Sequence, residues 1–164
     1  MKQTQPLQIK LHTLESLQTP LRKWREEGKR IVFTNGCFDI VHRGHVEYLW
    51  ETAQLGDILI VGLNSDASIA RLKGKHRPII DEKSRGMLLA AFACVDAVVR
   101  FDEDTPYELI KEIRPDVLVK GGDYTEETMV GADIVRAKGG EVCAIPLTPG
   151  YSTSLIEAKI KNQP

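Results

Sequence analysis

Hydrophobic residues come in short continuous runs along this chain, and helical patterns of apolar residues lie between the runs. Residues 57–63 (DILIVGL) form one such run, which predicts a strand that is buried on both faces. Residues 45–56 (HVEYLWETAQLG) carry apolar residues at helical spacing and end at a glycine, which predicts an α-helix. The alternation continues to a last helix that is predicted to begin at Ser152. Strands that alternate with helices predict right-handed crossovers and an open parallel sheet.

The fold predicted from this pattern is a single α/β domain over residues 30–164, with a Rossmann-like, doubly wound sheet of about five parallel strands. Residues 1–29 are predicted to form an N-terminal arm, whose helix begins at Thr19 and Pro20 and ends at Gly28. One further helix is predicted to begin at Asp66, and Thr105 is predicted to cap another, with Pro106 in its first turn. The helix faces predicted to be buried are Val46, Leu49, Trp50 and Ala53 in residues 45–56, and Leu88, Ala91, Phe92 and Val95 in residues 81–95.

Composition and charge describe an ordinary globular protein. The chain has 164 residues, of which 42% are hydrophobic and 27% charged, and its formal net charge is -1. This near-neutral balance does not favour a nucleic-acid partner. The three cysteines, Cys37, Cys94 and Cys143, are far apart, which favours a reducing cytoplasm over a disulfide framework. No signal-peptide pattern is visible, and the longest apolar stretch, residues 87–95, is too short to span a membrane. We therefore expect a cytoplasmic location.

Polar and glycine-rich segments occur where the predicted strands end. They read TNGCFD, NSDAS, KGGDY and TPGYSTS. Ligands of open parallel sheets bind at the carboxyl ends of the strands, near the point where the strand order reverses. These four segments therefore predict one shared active cleft.

The segment FTNGCFDIVHRGHVEYL places His42 and His45 on either side of Gly44, at the start of a predicted helix. Three interpretations compete for it. A metal site would use Cys37, Asp39 and the two histidines, which are residue types that zinc accepts. Structural zinc sites usually have two paired ligand clusters, however, and only one is present here. A second interpretation is that the histidines merely cap and pack the helix.

Phosphate binding is the third interpretation of the same segment. Imidazoles three positions apart on a first helical turn point the same way. The start of the helix adds free N–H groups and the positive end of its dipole, and Gly36 and Gly44 would let a phosphate approach the backbone closely. Neither the Walker A pattern nor G-x-G-x-x-G is present, so this phosphate site would be of another type.

The stretch GCFDIVHRGHVEYL resembles the G-x-F-D-x-x-H-x-G-H signature of the cytidylyltransferase-like nucleotidyltransferases. These enzymes join a nucleoside monophosphate to a phosphorylated acceptor and release pyrophosphate. The chain also resembles, over about residues 30–161, the adenylyltransferase half of the bifunctional heptose-7-phosphate kinase/heptose-1-phosphate adenylyltransferases. The segments VKGGDY and FDEDTP favour this heptose branch. Glycerol-phosphate cytidylyltransferases carry an arginine at the position of Leu147, which argues against that branch.

The resemblance implies a set of site residues. The catalytic residues would be His42, His45, Lys73 and Arg85, whose side chains would contact phosphates and stabilise developing charge. The nucleotide-binding residues would be Asn35, Gly36, Cys37, Phe38, His42, Gly44, His45, Lys120, Gly122, Asp123, Tyr151, Ser152 and Thr153. The acceptor-binding residues would be Asn64, Asp66, Lys75 and Lys120. No metal ligand is implied.

Simpler explanations stay open for several of these residues. Lys73 and Lys75 could lie on a solvated surface loop rather than on a loop that closes over phosphates. Arg85 could be an exposed helix arginine, and Asp66 and Ser152 could be helix caps only.

The function that the resemblance implies is transfer of AMP from ATP to D-glycero-β-D-manno-heptose 1-phosphate, with Mg²⁺ accompanying the ATP. The product, ADP-heptose, feeds lipopolysaccharide core synthesis. We expect a separate sugar kinase upstream, because no kinase domain fits in this length. We also expect that the chain can form a homodimer. One alternative is a CTP-dependent cytidylyltransferase acting on a polyol or amino-alcohol phosphate such as glycerol 3-phosphate. Another is a nucleotide-binding module that senses and does not react.

Overall fold

The computed structural model describes residues 6–122 and 128–162, and across these residues six parallel strands form one sheet. The strands are β1 (Leu11–His12), β2 (Ile31–Gly36), β3 (Ile58–Asn64), β4 (Ala97–Phe101), β5 (Val117–Gly121) and β6 (Glu141–Ile145). The helices are α1 (Leu14–Glu26), α2 (Arg43–Ala53), α3 (Asp66–Lys73), α4 (Glu82–Ala91), α5 (Tyr107–Ile113), α6 (Ala132–Ala137) and α7 (Thr153–Lys161), preceded by a 3-10 turn at Leu7–Lys10.

The strand order explains where a ligand can bind. The order across the sheet is β1-β4-β3-β2-β5-β6, and all paired strands are parallel. From β2 the chain moves outward through β3 to β4, and then returns to place β5 on the other side of β2. The strand order therefore reverses between β2 and β5, which opens a crevice at their carboxyl ends. This arrangement confirms the predicted Rossmann-like α/β fold.

The core lies on both faces of the sheet, as continuous apolar strands require. Ile31 and Phe33 of β2 point into a cluster with buried residues of α1, α5 and α6, whereas Val32 points into a second cluster with residues of α2 and α4. Every residue of β3 is buried. The helices that cover the two faces fix the sheet, so that the segments following the strands are held together at the carboxyl ends of the strands.

The N-terminal segment contributes the edge strand that the sequence analysis did not predict. Leu11 and His12 of β1 pair with Val98 and Val99 of β4. A two-residue strand is too short to show a periodic pattern, which is why it was missed.

Helix α1 begins earlier than predicted. Thr13 is the N-cap: its Oγ1 accepts a hydrogen bond from the Ser16 N–H at 3.1 Å, and the Ser16 Oγ accepts one from the Thr13 N–H at 3.0 Å. The predicted start at Thr19 and Pro20 is therefore wrong, and Pro20 lies inside the helix. Leu17 and Leu21 of this helix are buried in the core.

Two predicted helix faces are wrong in part. Leu49 is buried as predicted, but Val46 and Trp50 of α2 are 42% and 58% exposed. The buried side of α2 is set by Tyr48, whose hydroxyl hydrogen bonds to the buried Thr34 Oγ1 at 2.6 Å. A polar anchor of this kind does not show in an apolar pattern.

The same correction applies to α4, where Leu88 is 43% exposed and Ala91 is also exposed, while Leu89 and Ala90 are buried. Val95, beyond the end of this helix, is buried as predicted, and Phe92 is partly buried. One predicted cap is wrong as well, because the residue before α5 is Pro106 rather than Thr105. Helix α3 begins at Asp66 as predicted, and Ser65 caps it, since its side chain accepts a hydrogen bond from the Ser68 N–H. Among the described helices, none is both long and apolar enough to cross a membrane.

Candidate active site

A cavity of about 430 Å³ lies at the carboxyl ends of β2, β3 and β5, where the fold predicts a ligand site. It brings together residues from all four of the polar segments that follow the predicted strands. The predicted site residues that line it are Asn35, Gly36, Cys37, Phe38, His45, Asn64, Lys73, Lys120 and Thr153. The sequence prediction of one shared cleft is therefore confirmed in its location.

The two histidines lie at the start of α2, with their rings stacked. The ring centroids of His42 and His45 are 3.9 Å apart, and the ring planes differ by 26°. His45 lines the cavity, whereas His42 stands behind it as the N-cap residue of the helix. The His42 backbone N–H donates to the Nδ1 of His45 at 3.4 Å. In a neutral imidazole the other nitrogen then carries the proton, so the His45 Nε2–H is a hydrogen-bond donor.

Burial favours the neutral form of both imidazoles at pH 7. It lowers the pKa of His45 to about 4, and the neighbouring His42 and Lys73 lower it further. Burial also lowers the pKa of His42. The pair therefore offers N–H donors to an anion, rather than two fixed positive charges.

Gly44 is required between the histidines because the space beside it is filled. A Cβ at this position would lie 3.1 Å from the Cε1 and Nδ1 of His42 and 3.3 Å from the Cβ of Tyr151. The same holds for Gly36, where a Cβ would lie 3.0 Å from the Phe38 ring. The two glycines let these side chains pack closely around the start of α2.

Lys120 is the next-to-last residue of β5 and lines the cavity. Its Nζ lies 3.4 Å from the carbonyl oxygen of Asn35. Burial lowers the pKa of Lys120 to about 8, against a smaller opposing effect of the neighbouring Cys37. A partly buried ammonium at the carboxyl end of a strand is a group that an anionic ligand would stabilise.

The lysines after α3 occupy different positions. Lys73 is the last residue of the helix and lines the cavity, while Lys75 follows Gly74, whose φ is +100°, and does not line it. Both side chains are exposed. Only Lys73 of the predicted pair therefore faces the cavity in this structure.

Arg85 of α4 is fully buried and does not line the cavity. Its guanidinium donates to three carbonyl oxygens, those of Ile80 at 2.9 Å, Cys37 at 2.6 Å and Asn64 at 3.0 Å. A fourth N–H pairs with Asp66 Oδ1 at 2.7 Å. Arg85 was predicted to contact a phosphate, and Asp66 to contact the acceptor. In the structure they instead hold the ends of β2 and β3 together.

The turn before α7 approaches the histidines. Ser152 caps the helix, since its Oγ accepts a hydrogen bond from the Leu155 N–H at 3.1 Å, and Thr153 lines the cavity. Tyr151 lies outside the cavity, where its ring is 5.4 Å from the guanidinium carbon of Arg43. A threonine hydroxyl and the free N–H groups of a helix start are suited to phosphate oxygens.

Asp39 does not face a metal site, because its carboxylate is already occupied. It accepts hydrogen bonds from the Ile79 N–H at 2.8 Å, the Ile80 N–H at 2.9 Å and Arg77 Nη1 at 2.5 Å. Burial alone would raise the pKa of Asp39, but these donors hold it below its usual value. Within residues 6–122 and 128–162, no group of three or more histidine, cysteine, aspartate or glutamate side chains is placed to hold a metal ion.

Other predicted residues lie outside the cavity or outside the described part of the chain. Gly44, Gly122 and Ser152 do not line the cavity. Asp123, which was predicted to bind the nucleotide, lies outside the described residues.

One wall of the cavity consists of residues that were not predicted as site residues. Asp104, Thr105 and Pro106, in the loop between β4 and α5, line it together with Leu72. The signal was available: this loop also follows the carboxyl end of a strand, and its sequence FDEDTP supported the family resemblance without being given a role.

A second cavity of about 440 Å³ lies at the opposite, amino-terminal ends of the strands. Two ion pairs lie in it, Arg30 with Glu141 at 2.8 Å and Lys138 with Asp116 at 2.8 Å. This cavity contains none of the predicted site residues.

Comparison with known proteins identifies the family of this chain. The family model described as cytidylyltransferase-like matches residues 33–159. The chain is 57% identical over 151 residues to the bifunctional protein HldE of Syntrophotalea carbinolica, a match covering 92% of this chain and 31% of the relative. It is 58% identical over 142 residues to the bifunctional protein HldE of Rhodopseudomonas palustris strain BisA53, covering 87% of this chain and 29% of the relative. The chain thus spans less than a third of these curated relatives.

Solved structures agree in fold. The lipopolysaccharide core biosynthesis protein from Thermoplasma volcanium is 33% identical and superposes with a TM-score of 0.59, over 74% of this chain and 98% of that one. Pantoate-beta-alanine ligase from Francisella tularensis, at 12% identity and a TM-score of 0.62, covers 92% of this chain and 76% of its own, and it shows likeness of fold alone. By its sequence match and its fold, the chain belongs to the cytidylyltransferase-like family of nucleotidyltransferases.

Proposed function

We propose that this domain transfers AMP from ATP to D-glycero-β-D-manno-heptose 1-phosphate, forming ADP-heptose and pyrophosphate. The observation that carries the proposal is that four side chains suited to binding phosphate meet in one cavity at the reversal of strand order. They come from four different segments and are His45, Lys73, Lys120 and Thr153.

The chemistry asks little of the protein beyond positioning and charge stabilisation. A phosphate oxygen of the acceptor forms a bond to the α-phosphorus of ATP, and the bond from that phosphorus to the pyrophosphate oxygen breaks. The attacking oxygen is already anionic at neutral pH, so no general base is required. The His45 Nε2–H and the Lys73 ammonium would donate to the oxygens on which negative charge grows.

Mg²⁺ would arrive with ATP and neutralise part of the triphosphate charge. The carboxylate of Asp39 is taken by three donors, and Asp104 Oδ1 accepts from Arg71 at 2.8 Å. The donor set around the cavity therefore fits an ion that is held mainly by triphosphate oxygens and water, since Mg²⁺ usually keeps several waters.

The choice of acceptor rests on sequence. The segments VKGGDY and FDEDTP resemble the heptose adenylyltransferases, and the relatives named bifunctional protein HldE match across most of the chain. Asp104 and Thr105 of the second segment line the cavity, where a carboxylate and a hydroxyl suit the hydroxyl groups of a sugar.

The predicted partners follow from this reaction. The acceptor must be phosphorylated by a sugar kinase before it reaches this site, and the relatives, which are about three times as long as the matched segment, are named bifunctional. A cytoplasmic location, a homodimer and the lack of a nucleic-acid or membrane partner stay predictions.

The test is a coupled assay of pyrophosphate release with a panel of sugar and polyol phosphates, run with ATP and with CTP. We expect release with ATP and heptose 1-phosphate. Release with CTP and glycerol 3-phosphate would favour the cytidylyltransferase alternative. Silence with every pair, from a folded preparation that still binds ATP, would favour a sensing module.

The matched variant is His45→Gln, which keeps a polar side chain but displaces the donor. It should lower kcat by about 10²–10³, as the loss of one preorganised donor does. Unchanged turnover in this variant would contradict the role given to His45.

A further inference from the structure

We propose that Arg77 is a positioning residue for nucleotidyl transfer. Its guanidinium fixes helix α7 and residues 74–80, which follow α3, against residues 39–45, which contain the two histidines. The inference rests on the proposed function and deepens it. Arg77 does not line the cavity, so its effect would act through the groups that it holds.

The Asp39 carboxylate, in the segment between β2 and α2, is only 3% exposed. Its three donors, Arg77 Nη1, the Ile79 N–H and the Ile80 N–H, all come from the segment that follows Lys73 and Lys75. A buried carboxylate with three donors is a strong and directional anchor. The residues that follow Lys73 and Lys75 are therefore held against the residues that lead into His42 and His45.

The other side of the same guanidinium contacts helix α7. Arg77 Nη2 pairs with Glu157 Oε2, and Glu157 lies one helical turn after Thr153 in α7. The side chains of Arg77 and Glu157 are 16% and 23% exposed, so the pair is largely shielded from water. A planar guanidinium can hold two carboxylates at once, which a lysine ammonium on a flexible chain does poorly.

Helix α7 needs such a tether because its packing is weak. None of its residues is buried. The loop before it is held by the Thr148 hydroxyl, which donates to Glu47 Oε2 at 2.6 Å, but this contact lies on the opposite side of the Ser152–Thr153 turn from Glu157. With few apolar contacts, the position of the turn is set mainly by polar links.

Three cavity groups thus depend on one residue outside the cavity: His45 through Asp39, Lys73 through the segment that contains Arg77, and Thr153 through Glu157. Since a misplacement of about 1 Å costs up to about 10²-fold in rate, loosening this link should impair catalysis without unfolding the protein.

The experiment compares Arg77→Lys and Glu157→Gln with the wild type and with Glu141→Gln. The last variant breaks the Arg30–Glu141 pair at the far end of the sheet and serves as the matched control. Each protein is measured by thermal unfolding, by titration with ATP and by pyrophosphate release, so that KM and kcat are obtained separately.

For Glu157→Gln we expect ATP affinity to weaken and the KM for ATP to rise by about tenfold, the effect of weakening one charge-assisted hydrogen bond. The KM for the acceptor should change by less than about twofold, because Arg77, Ile79 and Ile80 keep their hydrogen bonds to Asp39. For Arg77→Lys we expect the same change for ATP and, in addition, a fall in kcat of about tenfold or more. Glu141→Gln should match the wild type.

The outcomes separate the two proposals. If the wild type turns over and the two variants match Glu141→Gln in both ATP affinity and KM, the role of Arg77 is wrong while the proposed function stands. If the wild type releases no pyrophosphate with any acceptor, the proposed function fails, and the inference is decided by ATP affinity, which should still be weaker in Glu157→Gln. Equal losses of thermal stability and of all kinetic constants would show a general structural role and would overturn the inference.

Discussion

Lys120→Met should make the protein more stable and at the same time remove its activity. Lys120 is a partly buried cation at the carboxyl end of β5, where burial disfavours its charged form. Methionine keeps the length and the apolar stem of the side chain but has no charge to bury. The substitution therefore separates the cost of holding the ammonium in place from its use in binding phosphate.

The magnitude follows from the pKa of Lys120, which burial lowers from 10.5 to about 8. Each pKa unit is worth ~1.4 kcal/mol, so the buried ammonium costs the folded state ~3 kcal/mol at pH 7. Below pH 8 the folded and unfolded chains both carry this proton and the full cost applies. Above pH 8 the folded chain loses the proton first, and the free energy of unfolding recovers. After ~1 kcal/mol is subtracted for each polar contact that Lys120 loses, the one to Asn35 among them, Lys120→Met should gain at most ~2 kcal/mol at pH 7.

Urea denaturation at pH 7 and at pH 10 measures this gain, which should shrink at the higher pH because wild-type Lys120 is then largely neutral. Calorimetric titration with ATP or a sugar phosphate supplies a second measurement. A bound phosphate near Lys120 restores its charge, so binding at pH 8 should take up about half a proton in the wild type. The uptake is obtained from titrations in buffers of different ionisation enthalpy, and it should be absent in Lys120→Met.

Two results would refute this reasoning. One is a fall in the free energy of unfolding of Lys120→Met at pH 7, which would mean that the ammonium stabilises the ligand-free protein. The other is equal proton uptake in the variant and the wild type, which would place the bound phosphate away from Lys120.

Three further predictions concern other parts of the site. Gly44→Ala should change the free energy of unfolding by no more than ~1 kcal/mol. It should lower kcat about tenfold or more, because the new Cβ would lie 3.1 Å from the His42 ring and would displace it. Steady-state kinetics checks this. Arg85→Met should destabilise the protein by ~3–5 kcal/mol, since it leaves a carboxylate and three carbonyl groups without their donor, as urea denaturation would show. Burial lowers the pKa of His45 to about 4, so the unfolded chain takes up a proton first as the pH falls from 6.5. The wild type should then lose ~1–2 kcal/mol more stability than His45→Gln between pH 6.5 and pH 4, as measured by pH-dependent denaturation.

The sequence by itself determined the fold class, the end of the sheet at which the cavity lies and the segment that we propose binds phosphate. These features are local. A continuous apolar run predicts a strand buried on both faces, a glycine ends a helix, and the histidines around Gly44 are neighbours in the chain before they are neighbours in space. The parallel arrangement then brings the ends of β2, β3 and β5 to one edge without any further information.

Only the tertiary structure decided what several of these residues contact. Arg85 was predicted to contact a phosphate, with an exposed helix arginine as the alternative, yet its partners Cys37 and Asn64 lie 48 and 21 positions away and draw it into the interior. Asp39 was weighed as a metal ligand, but Arg77, 38 positions away, occupies it. The physical reason is the same in both cases: a buried charge takes its partners from whichever segments the packed core brings near it, and the spacing of residues along the chain does not contain those distances.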